Sequence, residues 1–222
     1  IGDNETPSAN PASGGLVPTP GGMAAVAIGA GAHHTCAVLA DGSLTCWGYG
    51  GDGRLGYGNT NSIGDNETPS ANPVNGGRVA LGAGVKVKEV SGGERHTCAL
   101  RTDGKVACWG SNAFGQLGSG AGTSASATVG DNETPDSLAT DAVVPVNTTE
   151  VTAVSAGWAH TCVLGATSRV HCWGTGSAGR LGYGNTTTIG DDESAAAAGQ
   201  VSFPLLSRQV VASNSHTCAP QP

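Results

Sequence analysis

The residues of this chain with the most chemistry in them are its cysteines and histidines, and they come in a fixed pattern. His-Thr-Cys occurs at His34-Thr35-Cys36, His96-Thr97-Cys98, His160-Thr161-Cys162 and His216-Thr217-Cys218. Cys-Trp-Gly begins ten residues behind the first three cysteines, at Cys46, Cys108 and Cys172. Two thiols at constant spacing can close a disulfide, stay reduced as small buried hydrophobes, or join a neighbouring histidine on zinc, although a structural zinc site uses four closed ligands. A histidine two residues from a cysteine shares a strand face with it, so it could also serve as the base of a thiol nucleophile. The same set recurs in every unit, however, which fits a histidine that hydrogen-bonds between units better than a catalytic one. No Ser/His/Asp set, phosphate loop or metalloprotease motif is found in the sequence, and the expectation is a protein that is not an enzyme.

A second chemistry is that of hard oxygen ligands. The loop Gly-Asp-Asn-Glu-Thr sets Asp65 near Glu67 and, one unit later, Asp131 near Glu133. Calcium takes about 6–8 oxygens, so one such loop would have to borrow backbone carbonyls. The alternative is a solvated Gly-Asp turn stopped by Pro69 or Pro135. The expectation is therefore no cofactor, with calcium the one ion that these loops could hold.

A third set lies just before each His-Thr-Cys, where the repeat stops repeating: Ala32-His33, Glu94-Arg95, Trp158-Ala159 and Asn214-Ser215. Variation inside a constant frame is what a recognition surface requires, so His33, Glu94, Arg95, Trp158 and Asn214 are the candidate binding residues. Trp158 is the natural anchor, because large aromatics carry much of the energy at interfaces.

Positioning these groups is the work of a unit of about 60 residues, since the His-Thr-Cys copies are offset by 62, 64 and 56. Each unit continues into a glycine-leucine turn, GRLGYG from Gly53, GQLGSG from Gly115 and GRLGYG from Gly179, and then into the acidic loop. The 222 residues hold about 3.6 units: a partial one over 1–23, full ones over 24–87, 88–150 and 151–207, and a partial one over 208–222. Short runs of valine, threonine, leucine and tryptophan bounded by glycine and aspartate read as strands. No long helical period occurs, and Ala195–Ala198 is at most one turn. A two-residue Asp41-Gly42 hairpin loop would pair Cys36 with Trp47. A three-residue loop, Ala40-Asp41-Gly42, with glycine in the left-handed position, pairs Cys36 with Cys46 on a non-hydrogen-bonded rung, where side chains lie closer. Cys98/Cys108 and Cys162/Cys172 follow the same logic. In the third hairpin Ser168 stands where the others have glycine, so strain is expected there. The register places His34, Cys36, Val38, Leu44 and Cys46 on one face and Thr35, Ala37, Leu39, Thr45 and Trp47 on the other. Both faces are largely apolar, so each sheet must lie between two others. The fold class is therefore all-β, a β-propeller.

Composition narrows the partners. Glycine takes 37 of 222 positions, charged residues 12% and aromatics 4%, with a net charge of −7. No basic patch emerges, so nucleic acid is not an expected partner. No run of about 18 apolar residues exists to span a membrane. Three disulfides would belong to an oxidising compartment, extracellular or at the cell surface, with Cys218 seeking a partner beyond this sequence.

The segment VSGGERHTCALRTDGKVACWGSNAFGQLGSG, from Val90 to Gly120, resembles the repeat of the regulator of chromosome condensation family, and the resemblance extends over nearly the whole chain. It implies a propeller, most often seven-bladed with about four strands per blade. The family includes a guanine-nucleotide exchange factor, a plant ultraviolet photoreceptor and, more distantly, a bacterial inhibitor of β-lactamase. This chain departs from the first in being acidic and paired in cysteine. It departs from the second in that only Gly157-Trp158-Ala159-His160-Thr161 approaches the photoreceptor motif, without its arginine. The cysteine positions look like those of bacterial secreted or cell-surface members. The implied function is a non-enzymatic scaffold for protein–protein interaction or self-association into surface structure. The alternative is an inhibitor or regulator of a partner enzyme acting through the variable loops. About 3.6 units do not close a seven-bladed ring, so further sequence or a second chain is expected to complete it.

Overall fold

The computed structural model describes residues 16–120, 128–136, 144, 146, 148, 150–202 and 207–220. The first copy of the acidic loop and most of the first partial unit lie outside them. Each full unit forms one antiparallel three-stranded sheet: β1 (Ala25–Ala30), β2 (His34–Leu39) and β3 (Leu44–Gly48), then β4 (Val87–Gly92), β5 (His96–Arg101) and β6 (Val106–Gly110), then β7 (Val151–Ala156), β8 (His160–Gly165) and β9 (Val170–Gly174). The last partial unit contributes a two-stranded piece, β10 (Val211–Ala212) and β11 (Thr217–Cys218). The first strands β1, β4, β7 and β10 lie side by side at the centre, and the later strands of each sheet run outward from it.

The hairpins explain the register. Leu39 N–H bonds Ser43 O and Gly42 N–H bonds Leu39 O, both at 2.8 Å, and Asp41 Oδ1 accepts from the Ser43 amide at 2.9 Å. The Ser43 hydroxyl, which donates to the same oxygen at 2.6 Å, and then the Ser43 amide hold the Asp41 carboxyl below its usual range. Gly42 and Gly104 sit at φ 81° and 77°, and Ser168 is forced to φ 61°, a region costly for a residue with a Cβ. The three-residue loop puts Cys36 opposite Cys46, Cys98 opposite Cys108 and Cys162 opposite Cys172. All three pairs are disulfides, with Cα atoms 4.0–4.1 Å apart. Cys218 is a free, exposed thiol.

Where the family pattern implies about four strands, each full unit has, among the described residues, three and a single bridge. Gly48, Gly110 and Gly174, at φ 104°, 103° and 101°, turn the chain out of the sheet. It returns once, as Ile63, Val129 and Ile189 pair back onto those glycines. Ala195–Ala198 is a 3₁₀ turn.

The core lies between sheets. Leu44, Leu55, Leu100, Val106, Leu117, Val163 and Val170 are buried, and Trp109 and Trp173 are fully so. Trp47 occupies the same register in the first sheet, which no described sheet precedes, and it is only half-buried. It is the neighbouring blade that buries this indole.

Candidate functional site

Each of the two junctions between full blades is built around one carbonyl oxygen. His34 Nε2 lies 2.7 Å from Thr97 Oγ1 of the next blade, Thr97 Oγ1 donates to Arg54 O at 2.8 Å, and Trp109 Nε1 donates to the same oxygen at 3.0 Å. The threonine's single proton goes to the carbonyl, so it must accept from His34, which fixes the neutral Nε2–H tautomer. The second junction repeats the arrangement. His96 reaches Thr161 at 2.9 Å, and Thr161 and Trp173 donate to Gln116 O at 3.0 and 2.9 Å. A third histidine, His160, meets Thr217 Oγ1 at 3.0 Å. Burial is the main force keeping these rings neutral. It pushes His34 down to about 4, His96 to about 3 and His160 to about 4, with Arg54 adding to the effect at His34 and Arg180 at His160. His34, His96 and His160 are thus taken up between blades and six of the seven cysteines in disulfides, so these repeated groups do not pair as nucleophile and base, while Cys218 keeps its thiol.

The variable positions sit at the rim above this network. Residue 32 of the frame donates its amide to Gly93 O, Glu94 to Trp158 O at 3.4 Å, and Trp158 to Ser213 O at 3.2 Å. Successive loops therefore lean on one another around the centre. A cleft of about 240 Å³ opens there, with Glu94, Trp158 and Asn214 in its wall beside Ala32, Ala156 and Ala212. Its floor is glycine by necessity: a Cβ on Gly93 would lie 2.6 Å from Gly157 O, and one on Gly157 would collide with Ser213 O. Trp158 is 37% exposed, packs on Phe114 with ring centroids 5.4 Å apart, and has the Arg180 guanidinium 5.8 Å from its ring centre.

Of the five candidate binding residues, Glu94, Trp158 and Asn214 converge. His33 and Arg95 do not. They occupy the second position of each variable pair, whose carbonyls accept from the Tyr49 and Ser111 amides, and neither lines the cleft. Arg95 points instead toward Asp52, at 4.0 Å. Phe114, Arg180 and Arg54 also reach the rim, although they lie outside the variable pairs that precede His-Thr-Cys. Their signal is the turn before each glycine-leucine step, which reads Asp52-Gly53-Arg54, then Phe114-Gly115-Gln116, then Ala178-Gly179-Arg180. That turn is a second variable set on the same rim.

The acidic candidates lie elsewhere. Asp65 and Glu67 border a separate polar cavity of about 500 Å³ formed by residues of loop 59–74. The loop of Asp131 and Glu133 packs against the preceding unit's turn, where a Cβ on Gly53 would collide with Gly130 and Asp131, and Glu133 Oε1 accepts from Gly130 N at 3.1 Å. Among the described residues, the acidic groups that do gather are Asp191, Asp192 and Glu193 of the third unit, with ligand atoms all within 4.8 Å. Desolvation and then the Asp192 bond raise the Glu193 carboxyl.

Blades of this sequence, radially arranged and locked by a histidine–threonine–carbonyl–tryptophan network, define a repeat propeller. Models of the regulator of chromosome condensation (RCC1) repeat match residues 25–54, 87–116 and 151–180, and a second model of that description matches 41–100 and 103–164. Together they cover more than half of the chain, and the chain belongs to the regulator of chromosome condensation repeat family. It is 31% identical over 158 residues to the Ultraviolet-B receptor UVR8 of Arabidopsis thaliana, covering 71% of this chain and 31% of the receptor. It is 34% identical over 157 residues to the Probable E3 ubiquitin-protein ligase HERC3 of Homo sapiens, covering 70% of this chain and 13% of the ligase. The chain thus spans less than a third of the length of these relatives. Among solved structures, yeast RCC1 (Prp20) bound to Kap60 superposes with a TM-score of 0.65 at 19% identity, over 92% of this chain and 43% of that one. Human WBSCR16 gives 0.51 at 18%, over 90% and 58%. These likenesses show the propeller fold. Among the described residues no helix is long and apolar enough to cross a membrane.

Proposed function

We propose that this chain is a non-enzymatic, disulfide-stabilised propeller module that binds a protein partner through the rim cleft, in an extracellular or cell-surface setting. One observation carries the reading: three residues that break the repeat, Glu94, Trp158 and Asn214, arrive from three successive units at one cleft whose floor the repeat holds constant. The half-exposed indole supplies an anchor of the kind that dominates interfaces. The three disulfides support an oxidising compartment, and the acidic balance of −7 supports a protein rather than nucleic acid as partner.

Selection of phage-displayed peptides on the immobilised protein tests this. Selected peptides should lose about 30-fold in affinity on Trp158→Ala, the loss of a hot-spot side chain worth about 2 kcal/mol, with the melting temperature of the variant checked alongside. Ligands that bind the variant as well as the parent, or a selection that yields none, would overturn the assignment.

A further inference from the structure

The charges around the cleft say what kind of segment it takes. Asp52 is shared by two arginines, Arg54 at 2.8 Å and Arg95 at 4.0 Å, so both of those cations already face a carboxylate. Among the described residues, two charges at the cleft have no such partner. Glu94 forms part of the wall and makes no ion pair. Arg180 donates to the backbone oxygens of Ser177 and Asn214 at 2.9 and 3.2 Å and lies over Trp158, and it too meets no carboxylate. The order of the loops places Glu94 on one side of Trp158 and the Asn214 loop, held by Arg180, on the other. The indole is therefore flanked by an unneutralised anion and an unneutralised cation. In the wall of the same cleft, Asn214 carries a side-chain amide with both a donor and an acceptor, a match for a peptide unit. A volume of about 240 Å³ is below the roughly 300–1,000 Å³ of small-molecule sites and suits one apolar side chain with its backbone.

We infer that the cleft binds a protein segment in which an apolar side chain, seated on Trp158, lies between a basic residue facing Glu94 and an acidic residue facing Arg180. This rests on the proposed role of the cleft and adds the chemistry of the ligand. The probe is an array of acetylated, amidated nine-residue peptides with a central leucine, phenylalanine or tryptophan, carrying lysine and glutamate on opposite flanks, in both orders, with alanine controls. The labelled full chain should prefer one charge order over its alanine controls by about tenfold, and 0.5 M salt should erase most of that preference. Glu94→Lys should abolish the preference for lysine and Arg180→Glu that for glutamate. The double exchange Glu94→Lys/Arg180→Glu should invert the preferred order, and Arg180→Lys, which keeps the charge, should retain it. Binding that needs Trp158 but ignores both charges would sink this inference and leave the cleft's role standing. Binding that ignores Trp158 would sink both. Trp158-dependent binding of the chain to itself, in place of the peptides, would make the occupant a second copy and also overturn it.

Discussion

The two junctions that join the three full blades are alike inside and unlike at the rim. Within, each has a histidine, a threonine and a tryptophan converging on one carbonyl, with distances that agree to 0.2 Å. At the rim the first junction is ionic. Arg54, 2% exposed, reaches Glu94 O, Gly51 O and Asp52, and stacks 4.9 Å from the Tyr49 ring. The second is aromatic, with Phe114 on Trp158, while Gln116 folds back to accept from the Phe114 amide at 2.8 Å. The difference is tolerated because the inner network uses the backbone carbonyl of residue 54 or 116 and is indifferent to the side chain. Cohesion and recognition are thereby carried by separate atoms of the same residue.

If the inner networks are equivalent, removing either tryptophan must cost the same. Trp109→Ala and Trp173→Ala are each expected to lose about 3–5 kcal/mol, from the cavity and the lost bond, read as urea midpoints. Trp47→Ala, at a half-buried site, should cost clearly less. A large inequality between Trp109 and Trp173 would break the equivalence.

Acid tests the same network. The folded-state values of His34, His96 and His160 lie below the ordinary 6.5, so between pH 6.5 and about 4 the unfolded chain takes up protons that the folded one refuses. Stability is then full above pH 6.5 and falls as pH drops, by about 1.4 kcal/mol per pH unit for each histidine, flattening below the folded values. His96→Gln can still donate to Thr161 but does not titrate, so its melting temperature should fall less steeply between pH 6.5 and 5. A variant whose slope matches the parent's would show that His96 is not held neutral at the junction.

Much of this was legible because strand pairing is arithmetic. Once the loop has three residues, Cys36 must face Cys46 and the histidine and threonine faces are assigned; Ser168 in the left-handed region followed from the same count. The rim was legible only in half. Glu94, Trp158 and Asn214 announce themselves by breaking the repeat next to a fixed motif. Which of two adjacent variable residues looks into the cleft depends on a backbone twist that the sequence does not print, so His33 and Arg95 were grouped with them. Arg54 hides because a buried arginine and a solvated one look alike in sequence; only the positions of Gly51 O, Glu94 O and Asp52 bring it inside. Tyr57 is similar. Its hydroxyl accepts from Cys46 N at 2.9 Å and sits 3.0 Å from both Cys46 O and Gly77 O, tying the disulfide strand to a loop 20 residues further on than the tyrosine itself.

The smallest expected effect probes the rim alone. Arg54→Met keeps the apolar stem and the backbone carbonyl but removes the hydrogen bonds to Gly51, Glu94 and Asp52. Bonds to charged groups contribute about 1.5–3 kcal/mol each when made, but a methionine leaves no buried charge behind and the freed carboxylate of Asp52 is a third exposed and still has Arg95. The net loss should be near 2 kcal/mol. Gln116→Met removes one neutral bond at the second junction and should cost about 1 kcal/mol. In both variants the tryptophan indole should stay bonded to the carbonyl of residue 54 or 116, which exchange of the Trp109 and Trp173 indole protons would report. If Arg54→Met frees the Trp109 indole, the rim and the inner network are one structure, and the division of labour between side chain and backbone fails.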